Sequence, residues 1–76
     1  MKTVLITGAN SGIGLATVKR FLQGDYIVLA HYHTRKNNLD EVQSKNLHTI
    51  QADFCEVNDI HNLFDSCLAI SPNIDI

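Results

Sequence analysis

A single proline and two cysteines occur in the 76 residues, and six Lys and Arg are outnumbered by eight Asp and Glu. Each scarcity removes a class of protein. With 45% hydrophobic residues, 18% charged residues and so little proline, the composition is that of a globular chain and not a disordered one. Cys55 and Cys67 stand twelve residues apart with no further CxxC pair, so neither a disulfide nor a zinc site is expected, and reduced thiols point to a cytoplasmic protein. A net charge of -2 leaves no general basic surface to neutralise a nucleic acid backbone, and no arginine-rich arm is present. The longest apolar stretch, around Tyr26 to Ala30, falls far short of the ~20 residues of a membrane span. The first strand is expected to start within two residues of Met1, which leaves no room for a signal peptide or an anchor. A chain of this size hides only about 60% of its extended surface, so one domain with a small core is expected.

What is present alternates between two periods. Val4, Leu5 and Ile6 form a continuous apolar run, as in a parallel strand covered on both faces. From Gly12 the period becomes helical: Leu15, Val18, Phe21 and Leu22 share one face, Lys19, Arg20 and Gln23 the other, and Gly24 stands at the C-terminal cap. Tyr26 to Tyr32 reads as a second buried strand that ends in the polar run His33-Thr34-Arg35-Lys36-Asn37-Asn38. A short helix over Leu39 to Ser44, with Leu39 and Val42 inward, is broken by Asn46. Leu47 to Asp53 alternates as an edge strand does. Ile60, Leu63, Phe64, Cys67 and Leu68 keep the spacing of an amphipathic helix that Ser71-Pro72 stops, and Asn73 to Ile76 begins a fourth strand. The series predicts an α/β fold of partial Rossmann type, a doubly wound parallel sheet of strand order 3-2-1-4, with ligands at the carboxyl ends of strands one to three.

The most specific feature lies at the first of those ends. Thr7-Gly8-Ala9-Asn10-Ser11-Gly12-Ile13-Gly14 joins a strand to a helix, and a pyrophosphate reaches the amides of a helix N-terminus only where side chains are absent. Gly8 allows the sharp turn, Gly12 the close approach of backbone to phosphate, and Gly14 the packing of the first helical turn. Asn10 and Ser11 either bond phosphate or ribose or tie the turn to itself. No Gly-Lys-Ser/Thr follows, which argues against a nucleoside triphosphatase loop. The second loop holds no acid between Tyr26 and Asn38. It carries His33, Thr34, Arg35 and Lys36 instead, a set suited to a ribose 2′-phosphate and not to the free 2′-hydroxyl that an acid would grip. His31 and His33 form a His-x-His pair, but no further ligand is spaced to complete a metal site.

As it stands, TGANSGIG resembles the cofactor fingerprint of the short-chain dehydrogenase/reductase family, in the form of its core members. The resemblance implies an NAD(P)-dependent oxidoreductase that moves a hydride between cofactor and a carbonyl or alcohol. NADP(H) is the expected cofactor and NAD(H) the alternative. It implies that Gly8, Asn10, Ser11, Gly12, Ile13 and Gly14 lie along the cofactor, with His33, Thr34 and Arg35 at the 2′-phosphate. Asp53 is implied to bond the adenine amino group with backbone help from Phe54, although an Asp there also suits the cap of the following helix. The family's catalytic Ser and Tyr-x-x-x-Lys pair lie downstream of an Asn-Asn-Ala-Gly segment, and its oligomer contacts also lie elsewhere. No catalytic residue is assigned to this chain, and the Tyr32-x-x-x-Lys36 match falls on a strand end and loop that would not present both side chains on one helical face. The expectation is the cofactor-binding N-terminal portion of such an enzyme, inactive alone. The competing expectations are a noncatalytic nucleotide-binding module and a nonfunctional truncated remnant.

Overall fold

The buried apolar residues of the strands divide between two helical covers. The structure, a computed structural model, describes residues 2–34, 37–71 and 73–76. The elements are β1 (Thr3–Ile6), α1 (Gly12–Gln23), β2 (Ile27–Tyr32), α2 (Asn37–Asp40), β3 (Leu47–Gln51) and α3 (Val57–Ile70). β1 and β2 run parallel with Val4 opposite Val28, β2 and β3 run parallel with Leu29 opposite His48, and the sheet order is β1-β2-β3. Val4, Ile6, Val28 and Ala30 pack with Val18, Leu39 and the Leu15, Phe21 and Leu22 face of α1. Leu29 of β2 packs with Leu63 and Cys67 of α3, Ala52 beyond β3, and the half-buried Leu5, Ile27 and Ile50. One face therefore meets α1 and the other α3, the doubly wound arrangement that continuous apolar strands require.

The bounds of β1 and α1 agree with the sequence reading, β2 starts one residue later at Ile27, β3 ends two residues earlier at Gln51, and the remaining three segments depart further. The short helix begins at Asn37 and ends at Asp40, not at Leu39 and Ser44. Its start is drawn forward because Asn10 Oδ1 accepts the N–H groups of Asn38 and Leu39, and Leu39 still fills the core. In α3, Leu63 and Cys67 are buried, but Phe64 and Leu68 remain about half exposed, and Phe64 borders an apolar hollow. No fourth strand forms among the described residues. The segment nevertheless lies along β1: Ile76 N–H donates to Thr3 O (3.2 Å) and Leu5 N–H to Ile76 O (3.0 Å), the pair of bonds that brackets one residue of a parallel ladder. Asp75 Oδ2 accepts the Thr3 N–H at 2.8 Å on the same edge.

At the end of α1 the Gly24 N–H returns to Phe21 O, and the left-handed position falls one residue later, on Asp25 (φ 62°). Among the described residues no helix is long and apolar enough to cross a membrane.

Candidate functional site

The turn after β1 is organised around the Gly8 carbonyl. Gly8 takes φ +60°, the left-handed region that costs an L side chain energy. Its oxygen accepts both the Ser11 N–H (3.3 Å) and the Ser11 hydroxyl (2.8 Å). Ser11 is the N-cap of α1, yet its side chain makes no capping bond, since the hydroxyl is turned back to Gly8. The first intrahelical bond runs from Leu15 N–H to Ser11 O at 2.7 Å, so the N–H groups of Gly12, Ile13 and Gly14 precede it and point out of the helix end. No acidic residue occupies that first turn, which leaves the partial positive charge of the helix end uncompensated.

The glycines differ in what surrounds them. A Cβ on Gly14 would overlap the Gly8 carbonyl oxygen and come within 2.9 Å of Ala9 Cα, so helix and turn touch backbone to backbone. A Cβ on Gly12 would meet nothing within 4 Å. Gly14 is thus required by packing, while Gly12 stands over open space at the helix mouth.

Two side chains hold the turn from outside. Asn10 Oδ1 accepts the N–H groups of Asn38 and Leu39, while Asn38 Nδ2 donates to Asn10 O at 3.2 Å. Of the two roles left open for Asn10, tying the turn is the one its side chain performs here; Ser11 likewise bonds within the turn. His31 is the residue that sequence reasoning weighed only as half of a metal pair. It is buried, its Nδ1 accepts the Gly8 N–H at 3.1 Å, and its Nε2 lies 2.8 Å from Ala52 O. Both ring nitrogens are therefore occupied. A buried histidine near the end of β2 gave no signal beyond its place two residues before His33.

Gly8, Asn10, Ser11, Tyr32, His33 and Thr34 line a cleft of ≈ 280 Å³ between the first and second strand-to-helix loops. Five of the predicted cofactor residues thus meet in one place, and Gly12, Ile13 and Gly14 continue from it into α1. Ile13 is largely exposed. Arg35 and Lys36 lie outside the described residues. Asp53 reaches the same rim through His33, whose Nε2 is 3.4 Å from Asp53 Oδ2. The other carboxylate oxygen accepts the Cys55 N–H at 2.9 Å, and that bond, with His33 adding to it, holds the Asp53 carboxyl below its ordinary pKa. Asp53 is not the cap of α3, a position that Glu56 takes; it ties the turn before the helix. The Phe54 ring stacks on His31 at 4.2 Å, with the planes 7° apart, and borders the apolar hollow with Leu5, Ile60 and Phe64.

A helix mouth open to an anion, beside a cleft at the carboxyl ends of parallel strands, defines a nucleotide-binding α/β protein in general terms. Comparison with known proteins narrows this. The protein-family model for short chain dehydrogenase matches residues 2–76. The uncharacterized oxidoreductase DltE of Bacillus subtilis (strain 168) is 32% identical over 75 residues, covering 97% of this chain and 30% of that protein. Among solved structures, a 4-hydroxyisoleucine dehydrogenase complexed with NADH is 36% identical with a TM-score of 0.78, over 95% of this chain and 30% of that one. The 3-ketoacyl-(acyl-carrier-protein) reductase of Brucella melitensis complexed with NADH is 27% identical with a TM-score of 0.85, over 97% of this chain and 31% of that one. The chain belongs to the short chain dehydrogenase family, and it spans about a third of the length of these relatives.

Proposed function

We propose that this chain is the cofactor-binding portion of an NAD(P)-dependent oxidoreductase, holding the adenosine and pyrophosphate part of the dinucleotide in the cleft between Gly8 and Thr34. The observation that carries the reading is the mouth of α1. Ser11 declines to cap it, no acid neutralises it, and Gly12 leaves the approach open. Gly8, Ser11, Gly12, Ile13 and Gly14 take the pyrophosphate side, and Asn10 keeps the turn in register with α2. Asp53 and the backbone at Phe54 take the adenine. The relatives solved with NADH support a nicotinamide dinucleotide.

NADP(H) is the preferred form. His33 and Thr34 are exposed on the cleft, where a hydroxyl suits a 2′-phosphate, and the sequence continues with the cation Arg35. Hydride transfer to a carbonyl belongs to the whole enzyme, because no proton donor for the forming alkoxide is assigned in this chain; two free thiols favour a cytoplasmic setting. Thermal unfolding tests the reading. NADPH at a hundred times its Kd stabilises a folded binder by about 2.7 kcal/mol. The expected result is a raised melting temperature with NADPH, a smaller rise with NADH and no turnover with either; no shift at millimolar NADPH would refute it.

A further inference from the structure

The Gly8 N–H faces a side chain instead of a strand. His31 Nδ1 accepts it at 3.1 Å, which requires that nitrogen to carry no proton. The other nitrogen lies 2.8 Å from Ala52 O, and a carbonyl only accepts, so Nε2 carries the proton and donates. One form of the ring satisfies both bonds: the neutral Nε2–H tautomer. The same residue grips the turn a second time through its backbone, His31 O accepting the Ala9 N–H at 2.8 Å. Phe54 covers the ring face, and the ring is only 4% exposed, so its plane is fixed.

The chain of bonds runs further. His31 fixes the Gly8 N–H, Gly8 O fixes Ser11, and Ser11 O receives the first intrahelical bond of α1. We infer that His31 is a positioning residue of the pyrophosphate cradle, spanning from the end of β3 to the glycine turn as the Nε2–H tautomer and setting where the first amides of α1 point. The inference rests on the cofactor reading above. With both nitrogens engaged, the ring is not a metal ligand, and the His31-x-His33 spacing is explained by a structural bridge and a cleft residue on one strand end.

The test compares His31→Leu with His31→Asn in the full chain, using NADPH and adenosine 2′-monophosphate as probes. Asn keeps an acceptor oxygen near the place of Nδ1, and Leu keeps bulk with no acceptor. Loss of a charge-free hydrogen bond that orients the site is expected to weaken NADPH about tenfold in His31→Leu. Adenosine 2′-monophosphate, which carries no pyrophosphate, should bind it within about threefold of wild type, on the scale of a lost peripheral contact. His31→Asn should recover most of the NADPH affinity. Nitrogen-15 spectra of the wild-type imidazole should report a protonated Nε2 and a bare Nδ1 without any ligand. Equal losses for both probes, no recovery in His31→Asn, or a protonated Nδ1 would overturn the inference. Failure of the wild type to bind NADPH would instead refute the cofactor reading and, with it, the role, while the imidazole spectrum reports the bridge separately.

Discussion

Asn38 donates two bonds to Asn10: its backbone N–H to Asn10 Oδ1 at 3.0 Å and its side-chain amide to Asn10 O at 3.2 Å. Residues 28 positions apart thus tie the glycine turn to the start of α2. Removing the acceptor leaves two N–H groups of a partly buried helix start unpaired. Asn10→Ala is expected to cost about 1–2 kcal/mol in urea unfolding, and Asn10→Asp, which keeps the acceptor, clearly less.

The glycines separate stability from binding. Gly14→Ala pushes a methyl group into the Gly8 carbonyl and is expected to destabilise the chain by about 1–3 kcal/mol. Gly12→Ala places its methyl in open space, so stability should hold or rise by up to about 1 kcal/mol while NADPH affinity falls. Parallel unfolding and titration of the two variants check both statements.

Cofactor choice is expected to follow the second loop. A charge-assisted bond to phosphate contributes about 1.5–3 kcal/mol, so Arg35→Ala should weaken NADPH about tenfold or more and NADH little. Equal losses in calorimetric titrations would remove the preference for NADP(H).

The two thiols should react apart. Cys67 is fully buried and burial raises its pKa, whereas Cys55 is exposed. Native protein treated with an alkylating reagent at neutral pH should gain one label at Cys55, and Cys67 should be labelled only on unfolding, as mass spectrometry of peptides would report.

Asp53 gives the acid limb of stability its sign. Its folded pKa lies below the ordinary 3.8, chiefly through the Cys55 N–H and then His33. The folded state therefore favours the carboxylate, a contribution complete above the unfolded value and lost as pH falls through the folded one. Stability profiles of Asp53→Asn should be flatter than wild type below about pH 4, the range set by an unperturbed carboxyl.

Local pattern made β1 and α1 legible, because a continuous apolar run and a helical face of Leu15, Val18, Phe21 and Leu22 are each set by neighbours in sequence. Gly14 was legible for the same reason: a strand-turn-helix this tight brings backbone to backbone. The start of α2 was not, since Asn10 sets it from the far side of the cleft. Phe64 and Leu68 share the period of Leu63 and Cys67, and periodicity alone does not tell which part of a wide apolar face the sheet covers. His31 was weighed only as half of a metal pair, because its importance lies in two bonds to Gly8 and Ala52, which its place in the sequence does not reveal. Asp53 was read as an adenine ligand or a helix cap, and the bond to Cys55 is a third, local use of the same carboxylate.

The central claim concerns the amides between Gly8 and Gly14, and amide spectra of the labelled chain titrated with NADPH address it directly. The account predicts saturable shifts at Gly8, Ser11, Gly12, Ile13 and Gly14, stronger with NADPH than with NADH, and none at the far end of α1 near Gln23. Unmoved resonances in that turn at millimolar NADPH would contradict it.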